Sequence, residues 1–532
     1  MSATAAPPSA LRQIAHAVAA PFVRGLSVRA AMLLGVIASI VGMVASWGVG
    51  FMPSVQGSWL ATLGALRPLR VDDGGPLACA LLMVLSAAAL YFAWLQLAPH
   101  APREGGLRLM RRATLWWSLP WLAAFPVMSR DVYSYAAQGR LLMLGQDPYH
   151  DAVGQMPGWL AQGSDVLWAQ SSSPYGPLFL LVAEAVQAVS AWRPEFYVTL
   201  FRLLSFGGVV LCLWILPRLA KHTGVDGGWL LWLVCANPLF LYSMVASAHN
   251  DSIMVALLVW AFLAAMQGRR WQALLLAAAS IAVKPIVILA LPFLGLVLAG
   301  RAASWKQRFM WWALTGAAVG AVLAVLGAVS GLWFGWIGAM AGQGSAAFPF
   351  APYGLIGLGL GWLVSLVGGA AAGVTVQSAF YALGKVVAVG AAFWLALRRP
   401  GGSPLFHTGI VLLLAVLLNP VIQPWYLFWF LPFLAVTRAL YGATEQIIIL
   451  VSGVLSIWCL VDQLSLPEWV PGLLIKGIAV AVGYVVLTLL VYASPAHRGV
   501  FSAAARGGRW TLRHQPRSVA RFVRHPSSVV EP

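Results

Sequence analysis

The sequence predicts an all-α, polytopic transmembrane bundle of about 14 spans, and three observations predict it. Apolar runs of roughly 15–22 residues recur along the chain, and about 20 helical residues cross the hydrocarbon of a bilayer. Hydrophobic residues make up 61% of the 532 and charged residues only 9%, with a mean hydropathy of +0.83, outside the range of ordinary globular domains. No strand-like alternation interrupts the runs, and helices satisfy their own backbone hydrogen bonds in lipid.

The charge of +18 does not mark a nucleic-acid partner. The basic residues sit in short loops and in the C-terminal tail, the distribution of the positive-inside rule. Four cysteines, Cys79, Cys212, Cys235 and Cys459, each fall inside an apolar run without metal spacing and read as core packing.

In order, residues 1–29 form a polar cytoplasmic leader without an evident cleavable signal. Residues 30–492 form the transmembrane domain, and 493–532 a basic cytoplasmic tail rich in arginine. Ala30 to Phe51 and Pro76 to Leu97 are the first two spans, joined outside through Asp72 and Asp73. After Arg103, Arg108, Arg111 and Arg112 on the inside, Ala113 to Met128 runs out. A large extracytoplasmic loop then covers 128–198. Leu178 to Trp192 is expected to lie in it as an interfacial helix, because its crossing would place Arg218, Lys221 and His222 outside.

Spans then alternate: Phe201 to Pro217, Trp229 to Val245, Ser252 to Met266, Trp271 to Val283, Ile286 to Leu298 and Phe309 to Val329. Tyr353 to Gly369 is a span, a broken helix or a re-entrant segment, and parity with Arg398 and Arg399 inside favours one that does not fully cross. Leu405 to Leu418, Trp425 to Val436, Ile447 to Val461 and Leu473 to Val491 follow. This arrangement puts most of the acidic residues outside, Asp131, Asp147, Asp251 and Glu468 among them. Acidic residues contribute little to topology, so that outcome is independent of the rule used.

Three polar clusters converge on the outer face: Arg130-Asp131, His249-Asn250-Asp251 and Lys284. Lysine at a span end also serves as a snorkelling anchor, but a short carboxylate cannot reach far toward water. A partly desolvated carboxylate suits proton abstraction from a hydroxyl, and a lysine suits a phosphate. Together they describe transfer from a lipid phosphate, with Asp131 as the reacting base. Arg130 orients Asp131, holds phosphate or anchors the helix end. Two separated carboxylates also permit a divalent metal, but no tight D-x-D motif stands near either; no metal or cofactor is expected. A fourth cluster, Asn419-Pro420-Val421-Ile422-Gln423-Pro424-Trp425-Tyr426, is either a proline-broken hairpin with interfacial aromatics or one side of a sugar or isoprenoid groove.

The stretch SRDVYSYAAQGRLLMLGQDPY at Ser129–Tyr149, followed by SPYGPL, AHND, the VKP at Val283–Pro285 and NPVIQPWY, resembles the actinobacterial polyprenol-phosphomannose-dependent α-(1→6)-mannosyltransferases of the integral-membrane GT-C class. The resemblance covers Ala113 to Tyr426. It implies transfer of mannose from a polyprenyl-phosphate donor to a lipomannan-type α-(1→6)-mannan, with inversion, at the outer face of the plasma membrane. It assigns the general base to Asp131 and the donor phosphate to Lys284 and Arg130. Substrate contacts fall to Asp251, His249, Asn250, Tyr135, Gln423, Trp425 and Tyr426. The implied partners are the lipid-linked donor, a glycolipid or mannan acceptor and the membrane. Rival readings are a GT-C enzyme for arabinosyl or protein-mannosyl transfer, and a lipid-linked-sugar transporter. The transporter would place its polar residues at mid-membrane on broken helices.

Overall fold

In the computed structural model every regular element among the described residues is a helix. The structure describes residues 25–70, 74–342, 351–398, 402–463, 472–494 and 496–497. The expectations for the leader through residue 24, for Asp72, Asp73 and Glu468, and for the tail beyond residue 497 lie outside them. Among the described residues seven helices are long and apolar enough to cross a membrane, eight if one bent pair counts as a span, and six further apolar helices are 10–17 residues long.

Helix α1 (Val28–Val49) starts at Ser27, whose hydroxyl accepts from Ala30 N–H at 3.2 Å. It packs along α2 (Gly74–Leu97). The third apolar run departs from the expected continuous helix. Helix α3 spans Gly106–Ser118, a single 3-10 turn follows at Pro120–Ala123, and the backbone is non-helical from Ala124 to Arg130. Pro120 and Pro126 lack the N–H that an α-helix needs at those points, and the ring crowds the preceding turn.

The chain then forms α4 (Asp131–Met143), α5 (Pro177–Ser190) and α6 (Pro194–Thr223). Helix α6 exceeds the expected span at both ends, opening on Pro194 and stopping at Gly224 in the left-handed region. The next run is the bent pair α7 (Gly227–Val234) and α8 (Pro238–Ala246), at 57° to each other. The Asn237 side chain accepts from Leu239 N–H and restarts the helix. The last six residues of α8 widen into a π turn.

Helices α9 (Asp251–Met266) and α10 (Arg270–Val283) match expectation closely. A 3-10 segment, Pro285–Ala290, leads into α11 (Leu291–Ala299), and α12 (Trp305–Ser330) opens on a Ser304/Gln307 capping box. After α13 (Gly335–Gly342), the segment α14 (Pro352–Arg398) folds back at Gly369, φ +80°. Its two arms run antiparallel: Tyr353 stacks on Phe380 at 4.3 Å, and the Tyr381 hydroxyl donates to the Gly354 carbonyl at 2.8 Å. The uncertain Tyr353–Gly369 stretch is therefore one arm of a helical hairpin.

Helices α15 (Pro404–Leu417), α16 (Leu427–Ala435), α17 (Ala443–Gln463) and α18 (Gly472–Ala493) complete the chain. Helices α7 to α9 are buried almost throughout, whereas α14 and α18 expose large apolar side chains on most of their surface. All four cysteines are buried, and no disulfide joins them among the described residues.

Candidate active site

Three breaks in the helical chain meet at one place. Asp131 is the first residue of α4, Asp251 the first of α9, and Lys284 caps the C-terminus of α10. These are the helix ends where the macrodipole favours each sign of charge. Lys284 follows from sequence, since Pro285 ends α10.

The other two positions depend on distant residues. Arg202 of α6 is buried and donates to the carbonyls of Val245 and Ala246 at 3.2 and 2.9 Å, and to that of Leu122 at 3.1 Å. It thereby satisfies the widened end of α8 and joins it to the turn after α3. Ser247 donates to the Val127 carbonyl at 2.9 Å, so the AHND and SRD segments are tied directly. Met128 and Ala248, three residues and one residue ahead of Asp131 and His249, take φ of +71° and +59°. Such conformations cost non-glycine residues energy and persist where the surroundings enforce them. The SSSPYGP turn docks on the same site. Gly176 N–H donates to the Val283 carbonyl at 3.0 Å, and a Cβ at Gly176 would sit 2.3 Å from the Ala282 oxygen.

Lys284 Nζ donates to Asp251 Oδ1 at 2.8 Å, and Trp429 Nε1 donates to the same oxygen at 2.5 Å. The ammonium lies 5.1–5.6 Å from the ring centres of Trp429, Tyr175 and Tyr426, an aromatic box of the kind that holds cations. Asp131 Oδ2 approaches His249 Nδ1 at 3.5 Å, and the Tyr135 hydroxyl lies 3.4 Å from that nitrogen. The His249 ring stacks on Trp425 at 3.7 Å.

Asp131 and His249 stand outside the membrane-spanning helices, and burial shifts both. The Asp131 carboxyl is pushed from 3.8 up to about 7 by desolvation; Lys284 pulls it down, while Asp251 and Asp165 push it up. Desolvation drives the His249 imidazole well below its usual pKa. Burial thus favours the neutral imidazole, with the Asp131 carboxyl as its neighbour at 3.5 Å. A carboxyl near neutrality is suited to take up a proton from a hydroxyl.

Asp131 and Lys284 line a cavity of about 90 Å³ that opens into an apolar groove of about 320 Å³ between α14 and α15. Trp168, Ile286, Met340, Asn419 and Tyr426 line both. Asp131, Lys284 and Tyr426 line the cavity, and Asp251, His249, Tyr135 and Trp425 pack behind them through the contacts above. Arg130, Gln423 and Asn250 are not part of the cavity wall. Arg130 turns away: its Nε donates to the Gly163 carbonyl at 2.9 Å and its guanidinium covers the Phe51 ring at 4.7 Å. Arg130 precedes the helix that Asp131 opens, and its contacts with Gly163 and Phe51 hold it away from the site. Gln423 is buried at the start of the Pro424–Tyr426 turn, and Asn250 is buried with its side-chain amide unpartnered among the described residues.

Trp429, Tyr175, Ser134 and Gln138 were not singled out from the sequence. Tyr175 sat in the quoted SPYGPL motif, and Ser134 and Gln138 follow Asp131 at helical spacing. Trp429 carries no such signal in an aromatic run. Among the described residues no group of three or more His, Cys, Asp or Glu side chains is placed to hold a metal ion.

The chain matches the family "Alpha-(1->6)-mannopyranosyltransferase, N-terminal domain" over residues 32–300 and "MptB C-terminal domain" over 352–491. It is 32% identical to alpha-(1->6)-mannopyranosyltransferase A of Mycobacterium tuberculosis across 85% of this chain and 86% of that protein. Identity is also 32% to a probable alpha-(1->6)-mannopyranosyltransferase of Mycolicibacterium smegmatis, across 78% and 80%. For alpha-(1->6)-mannopyranosyltransferase B of Corynebacterium glutamicum it is 27%, across 75% and 71%. No solved structure matches the chain.

Proposed function

Because the chain belongs to the alpha-(1->6)-mannopyranosyltransferase family, and is therefore a membrane glycosyltransferase, we propose that it moves mannose from a polyprenyl-phosphate donor onto the 6-hydroxyl of an α-(1→6)-mannan of lipomannan type. The observation that carries this reading is the buried Asp131 carboxyl, raised to about 7 beside a lysine, at the mouth of an apolar groove.

The Asp131 carboxylate accepts the proton of the acceptor 6-hydroxyl as that oxygen attacks the anomeric carbon. The bond from that carbon to the phosphate oxygen breaks, and its electron pair leaves on the phosphate. Lys284 has three N–H donors and spends one on Asp251, which leaves two for the departing phosphate. Asp251 and Trp429 hold the ammonium in place meanwhile. Attack opposite the leaving group inverts the centre, so a β-linked donor yields an α product. The groove takes the prenyl chain. No metal is assigned a role.

The whole bundle follows GT-C architecture in this reading. In it the chain makes about 14 spans with both ends inside, the helix Pro177–Ser190 lies in the outer loop without crossing, and the site faces outward in a multi-pass plasma-membrane protein. Domain limits at 30–492, with the loop 128–198 over the site, belong to the same reading.

The test supplies membranes containing the protein with radiolabelled polyprenyl-phosphomannose and an α-(1→6)-linked mannoside. The expected product is longer by one mannose and is cleaved by an α-specific mannosidase. A β-linked product, or label transferred only from a nucleotide sugar, would overturn the reading. Single cysteines near Tyr149 in a cysteine-free background are expected to label from outside, and labelling from the cytoplasm alone would reverse the topology.

A further inference from the structure

The cavity has a polar side that the transfer step above does not use. We propose that one face of α4, running from Asp131 through Ser134 to Gln138, is the acceptor subsite. Ser134 and Gln138 hold ring hydroxyls of an α-(1→6)-linked mannoside whose terminal 6-hydroxyl meets Asp131. The proposal rests on the reading of Asp131 as the base.

Residues at i, i+3 and i+7 share one side of a helix, and all three line the cavity beside Lys284. None of them lines the apolar groove. The opposite side of α4 is occupied: Arg140 donates to Gln162 and lies over the Trp192 ring at 4.6 Å.

Ser134 is 3% exposed, and its hydroxyl has no partner among the described residues. A helical serine ordinarily bonds back to the carbonyl one turn earlier. A buried hydroxyl left unpartnered beside a cavity calls for a partner that the chain itself does not supply. Gln138 is oriented from behind, since the Ser173 hydroxyl donates to its Oε1 at 2.9 Å. That leaves the Gln138 NH2 as donor toward a hydroxyl. Across the cavity stand Ser171, Ser172 and the half-buried Trp168 ring, a mixture of hydroxyls and an aromatic face that suits a pyranose. From Asp131 to Gln138 the helix rises about 10 Å, the scale of a disaccharide. Ser134 therefore meets the terminal sugar and Gln138 the one behind it.

The test uses the full chain in membranes with saturating polyprenyl-phosphomannose and a mannoside series of one, two and three α-(1→6)-linked sugars. For the wild type, KM for acceptor is expected to fall from monosaccharide to disaccharide. Ser134→Ala is expected to raise acceptor KM about tenfold for every member, the loss of one hydrogen bond, with kcat and donor KM nearly unchanged. Gln138→Ala is expected to raise KM only for the two longer acceptors, and Gln138→Glu to retain part of the preference for length. Direct binding of the disaccharide reads the subsite independently of the base: Asp131→Asn is expected to bind it as the wild type does, even where turnover stops. If Ser134→Ala and Gln138→Ala bind the disaccharide as tightly as the wild type, or if donor KM rises in place of acceptor KM, the subsite is refuted while the assignment of Asp131 stands.

Discussion

The two sides of the reaction cavity are built from opposite materials. On one side, α4 and the SSSPYGP turn supply a carboxyl, serines and an amide, held by backbone hydrogen bonds that reach α10. On the other, the hairpin α14 and helix α15 supply Gly384, Ala388, Val389 and Ala415, together with Lys385, around a mainly apolar groove. The Lys284–Asp251 pair and its aromatic box stand where the two meet. The difference is what the proposed donor, with a charged head and a long apolar tail, would require: a polar side for the transfer and an apolar side for the tail.

The largest expected effect comes from breaking the junction. Lys284→Met leaves Asp251 buried and uncompensated, which costs about 3–5 kcal/mol of stability and abolishes transfer. Thermal unfolding in nanodiscs measures the first and the labelled-donor assay the second. The double variant Lys284→Met/Asp251→Leu is expected to regain most of the stability and none of the activity. Recovery of activity would assign the pair to folding alone.

Next in size is the apolar side. Ala388 is buried in the groove, and Ala388→Leu is expected to raise KM for a long-chain donor about tenfold, equivalent to about 1.4 kcal/mol. Transfer from a short-prenyl analogue should be unaffected. Equal effects on both donors would remove the prenyl chain from the groove.

The smallest effect is a shift in pH dependence. Transfer needs Asp131 ionised, so kcat/KM is expected to rise with pH through about 7. Asp251 raises the Asp131 pKa, so Asp251→Asn moves that limb to lower pH. Movement to higher pH would contradict the electrostatic account.

The sequence made the polar side partly legible and the apolar side hardly at all. Asp131, Asp251 and Lys284 stood out because charge at the end of an apolar run is expensive, and prolines and capping residues marked most helix starts. The direction of Arg130 was not legible, because Gly163 and Phe51, both distant in sequence, set it. Arg202, which fixes the AHND segment through three carbonyls, sits at the head of a long apolar run and gives no local sign of its partners. Trp429 was hidden by the many other tryptophans. The fold-back at Gly369 lies in a Gly/Ala-rich stretch whose composition suits a continuous helix as well as a hairpin, and only the Tyr353–Phe380 and Tyr381–Gly354 contacts distinguish them.

The central claim is that Asp131 removes the acceptor proton, and a single-turnover measurement on donor-saturated enzyme tests it most directly. For Asp131→Asn at matched protein level, the rate of mannose transfer is expected to fall by about 10²–10⁴, the usual contribution of a general base, while donor and acceptor binding are retained. Transfer by Asp131→Asn at a rate close to that of the wild type would contradict it.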